Sequence, residues 1–166
     1  MSYVGAGLIV LSSDGINTLL VHDARSSKWG FPKGHREIID RSDLETATRE
    51  CYEETGLTPE DYIIHSDVFK ISKGSQSYLF RYAVIKEGAR AVVRSGPAHE
   101  ISAVAWLPIA QLLDSANVID GNKYLRTWIS DLQNNVTKKS VNSFKGLLKR
   151  ISKPIPTTVS TSAATS

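Results

Sequence analysis

The chain is predicted to be an α+β domain, a sheet sandwiched by helices, and three features of its sequence point that way. Its 166 residues are one domain's worth, and 41% hydrophobic with 22% charged residues is ordinary for a globular protein. Short strand-like runs broken by turns fill most of the first two thirds, whereas helical periodicity is confined to an acidic stretch near residue 50 and to the C-terminal third. Strands and helices do not alternate regularly, which argues against a doubly wound parallel sheet.

Taken in order, Tyr3–Leu11 is β-rich, and Ser12-Ser13-Asp14-Gly15 turns it back towards Asn17–His22 as a hairpin. Trp29-Gly30-Phe31-Pro32 reads as extended, because the residue before a proline is pushed away from helix. A polar loop is expected over Lys33–Arg41. Ser42 with Glu45 three residues on forms a capping box, and Gly56 can take the left-handed conformation that ends a helix. Inside that helix Leu44, Ala47 and Cys51 are expected to share the buried face. Further strands are expected at Ile63–Ile71, Ser77–Ile85 and Ile101–Pro108, and helices at Ile109–Ser115 and Lys123–Leu132. Residues 1–134 are thus assigned to the folded domain.

Residues 137–152 read as a basic amphipathic helix, with Val141, Phe144, Leu148 and Ile151 on one face and Lys145 and Lys149 on another. It suits docking on its own domain, on nucleic acid or on a membrane surface. Residues 153–166 are low in apolar bulk and are expected to be disordered. The net charge of +3 is uneven: residues 132–166 hold Lys138, Lys139, Lys145, Lys149, Arg150 and Lys153 and no acid. An anionic partner such as RNA and a merely solubilising tail both fit this segment. One cysteine excludes an intrachain disulfide and a cysteine-based zinc site, and the N-terminus lacks the basic start and apolar length of a signal peptide or membrane span. Cytosolic or nuclear residence is therefore expected. Gly5-Ala6-Gly7 is not a dinucleotide-binding loop, since it lacks the third glycine and lies within a strand.

The stretch RECYEETGL, residues 49–57, crowds Glu50, Glu53 and Glu54 into the last turn of the acidic helix. Negative charge is disfavoured there by the helix dipole, and each like-charge pair a turn apart costs roughly 0.2–0.5 kcal/mol. A hard cation such as Mg²⁺, which takes oxygen ligands and keeps room for a phosphate, would offset that cost.

Upstream lies Trp29-Gly30-Phe31-Pro32-Lys33-Gly34-His35. Gly34, Asp40, Arg49, Glu50, Cys51, Glu53, Glu54, Gly56 and Leu57 together resemble the signature of the Nudix hydrolases. The resemblance implies a Nudix α/β/α sandwich with a mixed central sheet and Mg²⁺- or Mn²⁺-dependent hydrolysis of a diphosphate linked to another group. The family usually has a glutamate seven residues before the arginine, where this chain has Arg41. Asp40 is proposed to hold Arg49 instead, with Glu37 as the alternative.

By the same resemblance Glu50 and Glu54 are the principal metal ligands, with Glu53 direct or through water and the Gly34 carbonyl added. The general base is Glu50 or Glu100, and Arg49 belongs to the same catalytic set. Lys33 and His35 can face phosphates, and Tyr78, on a strand with Phe80 and Tyr82, can stack on a base or simply pack in the core. Pro32-Lys33-Gly34-His35 with Asp43-Leu44-Glu45 is similar to asymmetric diadenosine tetraphosphate hydrolases. Tyr52-Glu53-Glu54-Thr55-Gly56 and Glu100-Ile101 with Trp106 are similar to mRNA-decapping enzymes. Both branches cut a 5′–5′ polyphosphate bridge. Diphosphoinositol or nucleotide-sugar pyrophosphatases, and a catalytically silent nucleotide- or RNA-binding module, are the alternatives.

Overall fold

The computed structural model describes residues 2–93, 100–114 and 119–138, the side chains of the last helix to residue 135. Ten elements follow in chain order. They are β1 (Tyr3–Leu11), β2 (Asn17–Asp23), β3 (Lys28–Gly30), β4 (Lys33–His35), α1 (Asp43–Thr55), β5 (Tyr62–Lys73), β6 (Gln76–Ile85), β7 (Ile101–Pro108), α2 (Ile109–Leu113) and α3 (Lys123–Lys138).

The sheet is mixed. β1 runs parallel to β6 from Tyr3↔Ser77 to Leu11↔Val84, and β5 is antiparallel to β6 on the outside. Period-two alternation along β1 decides what covers each face. Ala6, Leu8 and Val10 pack with Ala47 and Cys51 of α1, while Ile9 and Leu11 pack with Leu125, Trp128 and Leu132 of α3. Helices therefore cover both faces, and the α/β/α sandwich is the observed architecture. Phe31 and Phe80 are fully buried between sheet and α3, Phe31 meeting Trp128 edge-on at 5.2 Å, and each buried ring contributes about 1.5–3 kcal/mol. Trp128 Nε1 donates to the Tyr82 hydroxyl at 2.9 Å, which satisfies both polar tips inside the core.

Three expectations change on contact with the fold. The anticipated β1–β2 hairpin survives only at its turn, as Leu11↔Thr18 with Ser12 N–H donating to the Asn17 carbonyl at 2.9 Å. Beyond that point β2 leaves β1 and pairs with β7 along Asn17–Asp23, and with β3 at its far end. The free edge of β1 is taken by β4, so part of the expected polar loop is a strand, with Gly5↔His35 and Gly7↔Lys33 in register. Glycine makes this approach possible: a Cβ on Gly7 would lie 2.7 Å from the Lys33 Cβ and collide with the Pro32 carbonyl. Leu44, the third correction, is exposed, because Thr46 fills the buried side of the first helical turn.

The ends of α1 are as its residues dictate. The Ser42 hydroxyl accepts from Glu45 N–H at 3.2 Å, and Gly56 at φ 74° lets its N–H reach the Tyr52 carbonyl at 2.9 Å. The Glu45 carboxylate reaches back to Arg41 N–H at 2.7 Å, one residue earlier than in a standard capping box. At the other end of the chain α3 runs through Thr137 and Lys138; the rest of the expected 137–152 helix and the 153–166 tail lie outside the described residues.

Candidate active site

The splay between β1 and β2 leaves room for the C-terminal half of α1 to face β4. Gly34 on β4 stands against Glu50, and a Cβ there would lie inside the Glu50 carboxylate. The neighbouring Lys33 N–H donates to Glu54 Oε2 at 3.1 Å. Burial pushes the Glu54 carboxyl up to about 8, against the Lys33 N–H and ammonium, with Glu50 and Glu100 adding repulsion. Glu50 is also raised, chiefly by burial and in spite of Arg49. Two partly buried acids facing one strand, both resisting ionisation, are short of positive charge.

Arg49 organises the opposite side. Its Nε and Nη2 grip Asp40 at 3.2 and 2.9 Å, Nη2 also donates to the His35 carbonyl at 2.9 Å, and Nη1 donates to Glu50 at 2.8 Å and Glu53 at 3.3 Å. Asp40 is buried and also accepts from the Thr46 hydroxyl at 2.9 Å and the Glu37 N–H at 2.8 Å. The guanidinium beside it holds the Asp40 carboxyl far below the usual carboxylate range. Glu37 lies at 3.6 Å from Arg49 and is much more exposed than Asp40, so Asp40 is the principal partner. With all its N–H groups turned to protein acceptors, Arg49 positions the acids around it.

The other expected residues fall at different depths. Glu100 is more than half exposed and pairs with Arg25 at 3.5 Å, yet its charge reaches Glu54. His35 is exposed, its ring edge-on to Tyr78 at 5.9 Å. Tyr78 is buried with Phe80 and Tyr82, and of the three it borders a cavity. Among the described residues no three His, Cys, Asp or Glu side chains converge as a ready cluster; Glu50 and Glu53 both lean on Arg49. The donors that are present, carboxylates plus the backbone at Gly34, suit a hard, oxygen-seeking cation, and the close seat of Gly34 leaves its carbonyl strand beside Glu50.

Two cavities open at the start of α3, one of them beside Glu54. One, of about 200 Å³, is lined among others by Glu54, Lys33, Asp23, Asn122, Lys123 and Tyr124. The second, of about 270 Å³, is lined by Tyr78, Ile71, Gln76, Lys123, Tyr124 and Thr127. Asn122, Lys123 and Tyr124 are additions that the sequence reading did not single out. Asn122 had a local signal, an Asn just before a helical run; its Oδ1 accepts from Leu125 N–H at 3.0 Å, and its N–H donates to the Trp29 carbonyl at 2.7 Å. Lys123 and Tyr124 had none, since only tertiary packing brings α3 against β4 and β6.

The NUDIX domain family model matches residues 1–129. The chain belongs to the Nudix family. A C. elegans Ap4A hydrolase solved as a binary complex shares the fold at TM-score 0.57 and 20% identity, over 81% of this chain and 99% of that one. A Nudix hydrolase from M. smegmatis, RenU, superposes at TM-score 0.62 and 18% identity, over 84% and 88%. An uncharacterized 17.7 kDa protein of Enterobacteria phage T4 is 41% identical over 59 residues, a stretch spanning 34% of this chain and only 39% of that protein. No helix among the described residues is long and apolar enough to cross a membrane.

Proposed function

We propose that this chain hydrolyses a phosphoanhydride bond in a 5′–5′ polyphosphate bridge between two nucleosides, with Mg²⁺ or Mn²⁺ held by Glu50, Glu54 and the Gly34 carbonyl and assisted by Glu53. The observation that carries the reading is the pair of cavities that share Lys123 and Tyr124 in their walls, one beside Glu54 and one walled by aromatic rings. A substrate with a group at each end of a phosphate chain fits two compartments better than a mononucleotide does. When bound, a divalent cation polarises phosphoryl oxygens and acidifies water at neutral pH.

The chain's own residues supply the rest. Lys33 offers a point charge to phosphate beside Glu54, and Arg49 keeps Glu50 and Glu53 oriented. Glu50, close to Gly34, and Glu100, on the far rim, are the candidates for the base that takes a proton from the attacking water. Tyr78 and Tyr124, with rings 4.7 Å apart, form the aromatic wall on which a base can rest.

Capped RNA is the second reading, favoured by the six cationic residues and absence of acids over residues 132–166. A competition assay of capped RNA against diadenosine tetraphosphate, with Mn²⁺ or Mg²⁺ and product masses, tests both. Cleavage within the bridge of diadenosine tetraphosphate is expected. Turnover of diphosphoinositol or nucleotide-sugar substrates alone would overturn the bridge assignment, and turnover of nothing would favour a silent binding module.

A further inference from the structure

Two lysines from separate elements approach the same ring, that of Tyr124. Lys33 Nζ lies 5.2 Å from the Tyr124 ring centroid and 5.8 Å from that of Tyr78, and Lys123 Nζ lies 4.9 Å from Tyr124. Among the described residues neither ammonium has a carboxylate within ion-pair distance. Two cations sharing one ring repel, and the ring's negative face offsets part of the cost. An anion between them would remove the rest.

Their anchorage differs. Lys33 is fixed on β4 beside Glu54, so its charge serves phosphates next to the acids. Lys123 belongs to α3, whose start is locked by the Asn122 cap and by the Asn122 bond to Trp29, while its own side chain is exposed. It lines both cavities, as only Tyr124 also does among the residues named above. Lys33 and Glu54 line only the first cavity, whereas Lys123 also lines the second, so phosphates that extend from the first cavity into the second run along Lys123.

Resting on the substrate reading above, we propose that Lys123 is a specificity-determining residue that selects for a long phosphate bridge by binding the phosphates furthest from the helix acids. Lys123→Met keeps the apolar stem and removes the charge, and Lys123→Arg restores it. Both variants are assayed with the wild type on diadenosine di-, tri-, tetra- and pentaphosphate, reading KM, or Ki against a cleaved member where one is not cleaved. Lys123→Met is expected to raise KM about tenfold for the tetra- and pentaphosphate, equivalent to about 1.4 kcal/mol. The diphosphate should shift by no more than about twofold, kcat should hold throughout, and Lys123→Arg should recover most of the loss. An equal shift at every bridge length, a shift in kcat alone, or no shift overturns the proposal. A wild type that turns over none of the dinucleotides overturns the substrate reading itself, a separate result.

Discussion

Asp40 is where this chain departs from the family pattern at residue scale, and its surroundings show how the departure is absorbed. The acid is buried, accepts from Arg49, Thr46 and Glu37 N–H, and leaves no oxygen idle. Asp40→Asn keeps the shape and removes the charge beneath Arg49, so a loss of about 3 kcal/mol in unfolding free energy is expected. Because the folded carboxyl titrates below its free value of 3.8, this stabilisation is full above that pH and is lost as pH falls through the folded value. Urea melts should therefore show a constant gap between wild type and variant from neutrality down to about pH 4 that narrows below it. A gap that widens towards acid would contradict the pairing. Glu54 behaves in the opposite sense, since burial raises its carboxyl to about 8 and folding at neutral pH must hold it protonated against its free tendency to ionise. Glu54→Gln should cut kcat/KM by at least about a hundredfold while the melting temperature holds or rises. A variant that keeps most of its activity would remove Glu54 from the metal site.

Two short elements, β4 and the last turns of α1, make the site only by lying against one another. Neither has chemistry alone: β4 supplies a bare backbone at Gly34, and α1 supplies acids its own dipole disfavours. Gly34→Ala puts a methyl where the Glu50 carboxylate lies, and the backbone cannot give way because Ala6 pairs with Gly34 across the ladder. Destabilisation of about 1–3 kcal/mol is expected from overpacking, together with weaker Mn²⁺ binding by titration calorimetry. Unchanged stability and metal affinity would show that Glu50 is free to move and that the seat is unimportant.

For the whole molecule, helices on both faces of a mixed sheet leave a groove at the seam between α1, β4 and α3. The basic segment beyond α3 lies in sequence just after this seam. Ending the chain at Lys138 should weaken capped-RNA binding, most at low salt, and leave diadenosine tetraphosphate cleavage within about twofold. Equal loss on both would make the segment structural. Much of this design was legible in local chemistry: α1 was bounded to the residue by Ser42 and Gly56, and Glu50, Glu53, Glu54 and Gly34 were picked out by spacing and resemblance. The strand at Lys33–His35 was not, because three polar and glycine residues carry no periodicity, and only the bare edge of β1 makes them a strand. Nor did the α1 face read correctly at Leu44, where a hydrogen-bonded Thr46 took the buried place. By itself, then, the sequence determined the capped acidic helix, the glycine that faces it and the alternating core of β1, since each depends on neighbours a few residues away. The tertiary structure alone decided the β4 edge and the meeting of Lys33, Tyr78, Lys123 and Tyr124, because those contacts join residues from separate elements and no local rule encodes them.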